Sequence, residues 1–276
     1  MLLAYDTHVH TYYSPCGRRL DEEGYSLAAP ERCCKRAAEL GLQAIVFTDH
    51  FVETPSASGV VNFYKGSGPA ILDDLRTEVA RFESPNGCKV YVGCETETMS
   101  PEWIGVGPEM ASQLDFLLVP TTHYHLPGVP QPASFEPQDV AHHLLMMLES
   151  VVGRPWVDSV AHPFSESELV IGDLRRIYEA MDKAWLTDVL GLAAENGVAL
   201  EVNDGSITSP NAPNYASVYR EIVRQAKELG CRFTFGSDAH DYRRLGMSET
   251  TEAWIASAGL IADDFLSPAA LRAKRG

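Results

Sequence analysis

LLAYDTHVH, residues 2–10, joins an apolar run to a group of side chains that can bind a metal ion. The run 2–6 has the composition of a buried strand, and Asp6, His8 and His10 stand at or just beyond its end. Residues two apart in an extended chain point to the same side, so His8 and His10 can reach one ion together. We therefore interpret this stretch as the first strand of a sheet that carries a metal site at its carboxyl end.

Six further apolar runs follow, at residues 43–48, 89–94, 115–120, 157–161, 198–202 and 231–236. Several are continuous β-branched or aromatic runs, which are typical of strands buried on both faces of a parallel sheet. Helices are predicted from Pro30 onward and at 71–82, 136–152, 172–192, 215–229 and 268–274. Repeated βα units predict an α/β fold, either an open doubly wound sheet or a closed barrel. No GxGxxG follows the first strand, which disfavours a dinucleotide-binding sheet.

The composition is that of one globular domain over residues 1–276, with 45% hydrophobic and 22% charged residues. The net charge of -16 disfavours binding of long nucleic acid. No apolar run reaches the ~18 residues of a membrane span, so we expect no membrane partner. The six cysteines form no CxxC and the N-terminus has no signal-peptide pattern, so we expect a reducing, cytoplasmic setting.

Metal-binding residue types recur at the carboxyl ends of the predicted strands. They are Asp49 and His50 after the second strand, Glu95 after the third, His123 after the fourth, His162 after the fifth, and Asp238 and His240 after the seventh. A convergent ring of His, Asp and Glu is typical of a metal site. Asp6 and Asp49 each adjoin a predicted ligand, and we expect them to orient imidazoles without touching the metal.

Glu201 and Asn203 stand at the end of the sixth predicted strand. The sequence leaves open whether each contacts the substrate or has a structural role. His142 and His143 lie inside a predicted helix, away from any strand end, and we interpret them as packing or solvated residues. Residues 53–70 and 124–135 are the two long loops, and either is long enough to form a lid over the site.

The motifs DTHVH, TDH, GCETE, TTH, AHP and GSDAH stand between residues 6 and 240 in the order seen in the PHP (polymerase and histidinol phosphatase) family, which this chain resembles. The resemblance implies a distorted barrel of seven βα units. It also implies two or three divalent metal ions at the carboxyl ends of the strands, and hydrolysis of phosphate esters.

Carried over by motif, the resemblance assigns one ion to His8, His10, Glu95 and Asp238. Glu95 would bridge to a second ion held by His123 and His162. A third ion would involve His50, His240 and the residue six after His10, which is histidine in many family members and Cys16 here. A thiolate binds zinc or iron well and manganese poorly, so Zn, Mn and Fe all stay open as the metal.

The expected reaction is hydrolysis of a small phosphate ester by a water that two ions activate. Asp238, His240 and His50 are the predicted catalytic residues, since either imidazole can protonate the leaving oxygen where the third ion is absent. Phosphate oxygens usually meet arginine. The candidates are Arg18 and Arg19 after the first strand and Arg243 and Arg244 after the seventh, and Asn203 is a further candidate for substrate contact.

Other functions remain open at this stage. Histidinol phosphate is one candidate substrate by family name, and a phosphodiesterase or exonuclease of the same family is the nearest alternative. An amidohydrolase-like enzyme that cleaves C–N bonds also begins with H-x-H, but it usually needs a bridging lysine that TTH does not provide. A degenerate PHP module that binds only metal is the non-enzymatic alternative.

Overall fold

Parallel strands alternating with helices form two sheets in the computed structural model, which describes residues 2–57, 59–82, 85–121 and 123–273. The first sheet has the order β1 (Tyr5–Val9), β2 (Ala44–Phe47) and β3 (Lys89–Val92). The second runs from β4 (Cys94–Glu95) through β7 (Leu117–Pro120), β8 (Ser159–Ala161) and β9 (Ala199–Asn203) to β10 (Phe233–Gly236). A short antiparallel hairpin, β5 (Thr98–Ser100) and β6 (Trp103–Ile104), lies between them in the chain.

Backbone hydrogen bonds join the two sheets along both edges. At one edge the amide of Asp238 donates to the carbonyl of His8 at 2.9 Å, next to β1 and β10. At the other edge the amide of Asp115, just before β7, donates to the carbonyl of Val92 at the end of β3 at 3.1 Å. Gly93 allows this second junction, because a Cβ there would lie 2.3 Å from the Phe116 carbonyl oxygen. The strands therefore have the arrangement of a distorted α/β barrel, as predicted.

Helices surround the strands and bury their apolar stripes against them. They are α1 (Pro30–Glu39), α2 (Pro69–Val79), α3 (Pro108–Ala111), α4 (Pro137–Val152), α5 (Leu174–Ala180), α6 (Lys183–Asn196), α7 (Asp204–Ile207), α8 (Tyr215–Glu228), α9 (Glu249–Ala258) and α10 (Pro268–Ala273). Proline occupies the first turn of α1, α2, α3 and α4, where its missing N–H leaves no intrahelical bond unmade. Within the described residues, no helix is both long and apolar enough to cross a membrane.

The first strand begins later than predicted. It runs over Tyr5–Val9, so Asp6 and His8 lie within the strand and only His10 follows it. The predicted third strand divides at Gly93 into β3 and β4. The first of these shifts follows from the polar residues of DTHVH being buried, which composition alone does not anticipate.

The helices differ from the sequence-based prediction in three further places. The predicted helix 172–192 is two helices, α5 and α6, because Asp182 caps the start of the second one. The connection between the third and fourth predicted strands is the β5–β6 hairpin followed by the one-turn helix α3. Helix α9 was not predicted. Ser58 of the loop 53–70, Thr122 of the TTH motif and Lys274 of the last predicted helix lie outside the described residues.

Candidate metal centre

The carboxyl ends of the strands bring most of the predicted ligands into one buried cluster. In the part of the chain that the structure describes, three sets of residues have ligand atoms within 4.8 Å of one another. They are His8, His10 and Glu95; Glu95, His123 and His162; and His10, Cys16, His50 and His240. The sets share Glu95 and His10, so they form a continuous chain of three adjacent positions.

Glu95 stands at the centre of this cluster, on the two-residue strand β4. Its Oε2 lies 3.5 Å from His8 Nε2 and 3.4 Å from His10 Nε2. Its Oε1 lies 3.2 Å from His162 Nε2 and 3.7 Å from His123 Nε2. Oε1 therefore faces one pair of imidazole nitrogens, and Oε2 faces the other pair together with Nδ1 of His50 at 3.2 Å.

Asp238 reaches the first pair of histidines through a turn in the backbone. Its φ is 57°, in the left-handed region, so the chain is not extended between Asp238 and His240. In an extended chain the side chains of Asp238 and His240 would point to the same side. The turn instead places Asp238 Oδ1 at 3.5 Å from the Nε2 atoms of both His8 and His10. The ring of His240 stacks on His10, with centroids 4.3 Å apart.

The donor set of the first position fits a divalent metal ion. Separations among His8 Nε2, His10 Nε2, Glu95 Oε2 and Asp238 Oδ1 include values from 3.0 to 3.5 Å. Tetrahedral ligands about 2.0–2.2 Å from zinc lie about 3.3–3.6 Å from one another. His8 Nε2 and His10 Nε2 lie only 3.0 Å apart. A cation bound between them would accept the lone pairs of both nitrogens.

Buried carboxylates orient two of the imidazoles from behind. His8 Nδ1 lies 2.8 Å from Glu201 Oε1, and His123 Nδ1 lies 2.7 Å from Glu97 Oε2. A carboxylate accepts only, so each Nδ1 carries the proton and each Nε2 presents a lone pair to the cluster. Sequence reasoning missed Glu97. Its position two residues after Glu95 in GCETE was the available signal.

Asp6 and Asp49 act on the backbone around the cluster. Asp6 accepts hydrogen bonds from the amides of His8 at 3.2 Å and Ser237 at 2.9 Å, which ties β1 to the end of β10. Asp49 Oδ1 accepts from the Ser14 hydroxyl at 2.7 Å. Neither carboxylate belongs to the three sets of ligand atoms.

Ser14 links Asp49 to His10 and His50 of the cluster. Its Oγ lies 3.3 Å from His10 Nδ1 and accepts the His50 amide at 2.8 Å. The side chain of His50 is held separately, with Nδ1 at 3.1 Å from the Tyr64 hydroxyl. Neither Ser14 nor Tyr64 was singled out from the sequence.

The electrostatics keep the carboxylates ionised. Burial would raise the pKa of Glu95, but the imidazoles of His50 and His8 hold it well below its usual range. Burial acts in the same way on Asp238, and there His8 and His10 hold the pKa low. Burial together with the neighbouring His10 lowers the pKa of His240 to about 4. Burial would lower the pKa of His8 and of His123, but the carboxylates of Glu201 and Glu97 raise these pKa values above the usual range. Metal binding to these imidazoles therefore has to displace a proton from each ring.

A cavity of about 350 Å³ opens over the cluster. Its wall includes ligand-type residues together with Phe63, Leu126, Ser165, Glu166, Ser206 and Arg244. Phe63 comes from the loop 53–70 and Leu126 from the loop 124–135, so each predicted lid loop contributes one apolar side chain to the cavity wall.

The four predicted substrate arginines lie in different places. Arg244 lines the cavity over the cluster. Arg19 and Arg243 line a separate surface depression, and Arg243 is paired with Asp241. Arg18 is exposed, and its Nε donates to the Tyr12 carbonyl at 3.4 Å.

Asn203 and His125 also have defined partners. Asn203 is fully buried; its amide nitrogen donates to Glu201 Oε2 at 3.1 Å and its Oδ1 accepts from the Ser206 amide at 2.8 Å. His125 lines the cavity, with Nδ1 at 2.9 Å from Glu166 Oε2.

Comparison with known proteins agrees with this site. The PHP domain family matches residues 6–205. Proteins named probable phosphatase from Thermoanaerobacter sp. (strain X514) and Vibrio atlanticus (strain LGP32) are each 25% identical to the chain. The first match covers 95% of this chain and 89% of that protein, and the second covers 94% and 87%.

Among solved structures, histidinol phosphate phosphatase from Lactococcus lactis, complexed with zinc, L-histidinol and phosphate, aligns with a TM-score of 0.57 at 18% identity. The alignment covers 94% of this chain and 95% of that one. At this identity the alignment shows a shared fold. The family match, by contrast, spans every ligand motif of the sequence except GSDAH. This chain therefore belongs to the PHP domain family.

Proposed function

We propose that this protein is a metal-dependent phosphatase that hydrolyses a small phosphate monoester. The observation that carries the proposal is the position of Glu95, whose Oε2 faces His8 and His10 and whose Oε1 faces His123 and His162. Two divalent ions held on either side of one carboxylate would supply Lewis acidity toward a phosphoryl group and activate a water for attack.

Three positions would hold ions. His8, His10, Asp238 and Glu95 provide the first, and Glu95, His123 and His162 provide the second. Cys16, His50 and His240, next to His10, offer a third donor set. A thiol among these donors favours zinc or iron over manganese at that position.

The chain's own residues would bind and orient the ester. Arg244 is the arginine placed to hold a phosphate oxygen, because it lines the same cavity as the cluster. The hydroxyls of Ser165 and Ser206, which lie 2.8 Å apart in the wall, offer further hydrogen bonds. Asn203 has both ends of its amide engaged, so we assign it to orienting Glu201 and the start of α7.

The size of the cavity favours a small substrate. Its volume of about 350 Å³ is near the lower end of ligand pockets, which span about 300–1,000 Å³. The net charge of -16 adds electrostatic repulsion toward a long polyanion. The Lactococcus lactis relative by fold is a histidinol phosphate phosphatase, which makes L-histidinol phosphate the first ester to test.

The test is phosphate release by protein loaded with Zn²⁺, Mn²⁺ or Fe²⁺. The substrates are L-histidinol phosphate, an aryl phosphate monoester, a mononucleotide, an aryl phosphodiester and an aryl amide, the last two followed by release of the aryl group. We expect turnover of at least one monoester, abolished in His8→Ala and retained in His142→Ala, whose side chain is exposed on α4.

Turnover of the diester alone would indicate that the protein is a phosphodiesterase and not a phosphate monoesterase. Cleavage of the amide alone would point to a C–N hydrolase. No turnover of any substrate by metal-loaded protein would contradict the proposed function and favour a module that only binds metal.

A further inference from the structure

We propose that Glu201 is a positioning residue that sets the geometry of both the first and the second metal position. This inference rests on the function proposed above. One carboxylate oxygen, Oε1, lies 2.8 Å from Nδ1 of His8, a ligand of the first position. The other, Oε2, accepts the backbone amide of His162, a ligand of the second position, at 2.6 Å. Glu201 thus touches both positions without belonging to either set of ligand atoms.

The Glu201 side chain is held on all sides. It is fully buried on β9, and Oε2 also accepts from Asn203 Nδ2 at 3.1 Å. Its own carbonyl accepts the Tyr219 hydroxyl at 2.7 Å. Gly236 packs so closely that a Cβ there would lie 2.1 Å from Glu201 Oε1. The carboxylate has no room to turn away from its two partners, so its position is fixed before any ligand arrives.

Toward His8, Glu201 acts by selecting a tautomer. Glu201 Oε1 can only accept, so His8 Nδ1 must donate, and the lone pair of His8 is left on Nε2. That atom is the one that faces His10, Glu95 and Asp238. Removal of such a supporting carboxylate typically weakens metal binding by about 10- to 100-fold.

Toward His162, Glu201 acts on the backbone. The φ of His162 is 27°, in the left-handed region, a conformation that is strained for a non-glycine residue and persists only where its surroundings hold it. The bond from the His162 amide to Glu201 Oε2 supplies one such restraint. The turn it holds aims the imidazole at Glu95, with Nε2 at 3.2 Å from Oε1.

Two substitutions separate these two contacts. In Glu201→Gln, the amide oxygen is expected to face His162 and Asn203, which both donate, and the NH₂ group then faces His8 Nδ1. His8 must accept from it and place its proton on Nε2, so only the first position is impaired. Glu201→Ala removes both contacts. Glu97→Gln is the matched control, because of the first two positions Glu97 contacts only the second, through the His123 ring; its Oε2 also accepts from the Tyr64 hydroxyl at 3.3 Å, next to His50.

The experiment measures Zn²⁺ affinity by competition with a chromophoric chelator, and assigns positions by anomalous scattering from crystals. Circular dichroism of the metal-free proteins reports folding. For Glu201→Gln we expect at least tenfold weaker binding at the first position and near wild-type binding at the second. For Glu201→Ala both positions weaken at least tenfold, and for Glu97→Gln only the second does.

Wild-type affinity at both positions in Glu201→Gln would overturn the inference and leave the proposed function standing, as would a Glu201→Ala protein that weakens only the first position. Wild-type protein that binds no Zn²⁺ would overturn both. If Glu201→Ala does not fold, Asn203→Ala replaces it. That variant withdraws one donor from Glu201 Oε2, so weaker binding at one or both positions is expected and unchanged binding at both would overturn the inference.

Discussion

At the scale of single residues, the site depends on partners that are far apart in the chain. Glu95 contacts histidines from four other strand ends, and His123 contacts Glu97, 26 residues before it. The residues of the cluster other than Cys16 were predictable from position, because each follows or ends an apolar run, whereas Cys16 was predicted from the family resemblance alone. Their supporting residues were not, since a buried Glu or Ser gives no periodic signal. Strand-end reasoning likewise proposed four arginines but could not tell which one turns toward the cavity.

Glu95→Gln tests the bridging carboxylate. The substitution keeps the shape of the side chain but gives one of the two facing atoms an NH₂ group, which cannot bind a cation. We expect one ion fewer per protein and a loss in phosphate release of at least ~100-fold, since metal ions supply several kcal/mol of transition-state stabilisation. Metal analysis and initial rates measure both. Glu168→Gln, a buried glutamate that instead accepts from the Leu174 amide, is the matched control. Full metal content in Glu95→Gln would contradict the bridging role.

Cys16→Ser tests the third position. Burial and the nearby Glu95 carboxylate raise the pKa of the Cys16 thiol, so a cation is needed to make it a thiolate ligand. We expect the serine variant to lose one Zn²⁺ or to shift its preference toward Mn²⁺, measured by metal analysis and by rates with each metal. Cys34→Ala on α1 serves as control. Identical metal content and metal preference in Cys16→Ser would make the cysteine a bystander.

At the scale of elements, strand positions followed from the sequence better than helix boundaries did. A continuous run such as AIVF in β2 is buried on both faces, and little else in the chain has that composition. Helix α9 buries Thr251, Trp254, Ile255 and Ala258 at helical spacing, but exposed alanines on the other side obscure this stripe in the sequence, and the helix was not predicted. The β5–β6 hairpin pairs strands of three and two residues, too short to show alternation.

The break between α5 and α6 gives a prediction about Asp182. Its carboxylate accepts from the amides of Ala184 at 3.0 Å and Trp185 at 3.1 Å, which satisfies two donors at the start of α6. Asp182→Ala should lower the free energy of unfolding by about 1 kcal/mol. Denaturant titration measures it, with Asp188→Ala, an exposed aspartate inside the same helix, as control. An unchanged stability would show that the cap contributes nothing there.

Helix α4 carries a pH-dependent element in His143. The side chain is buried, Nδ1 lies 2.9 Å from the Tyr124 hydroxyl, and burial with the neighbouring His142 lowers its pKa to about 4. As the pH falls, His143 of the unfolded chain is therefore protonated near pH 6.5, whereas His143 of the folded chain stays neutral until about pH 4. The stability from a neutral His143 is complete above pH 6.5 and is lost as the pH falls through this window.

We expect His143→Gln to reduce the loss of unfolding free energy between pH 6.5 and pH 4 by about 2 kcal/mol. Both proteins are measured free of metal by denaturant titration, so that protonation of the metal ligands does not differ between them. His142→Gln, exposed on the same helix, is the matched control and should keep most of the wild-type loss, because burial lowers the pKa of His143 more than His142 does. Equal acid sensitivity of wild type and His143→Gln would contradict the assignment.

At the scale of the whole molecule, the barrel explains why residues from the entire chain meet at one point. The main buried core includes residues from Leu3 to Phe265, which supports our proposal that residues 1–276 form one domain. Parallel strands place all their carboxyl ends on the same side, so each strand contributes one or two polar side chains there. The net charge of -16 counts several of these carboxylates, and bound cations would offset part of it.

The most direct test of Glu95 as the bridge between two metal ions is a crystal structure of the protein grown with Zn²⁺ and inorganic phosphate, with anomalous data at the zinc edge. We expect one anomalous peak among His8, His10, Asp238 and Glu95 Oε2, and a second among His123, His162 and Glu95 Oε1. We expect the phosphate to lie between these two peaks and Arg244. A single peak that leaves one Glu95 oxygen without metal, or no peak at the cluster, would contradict it.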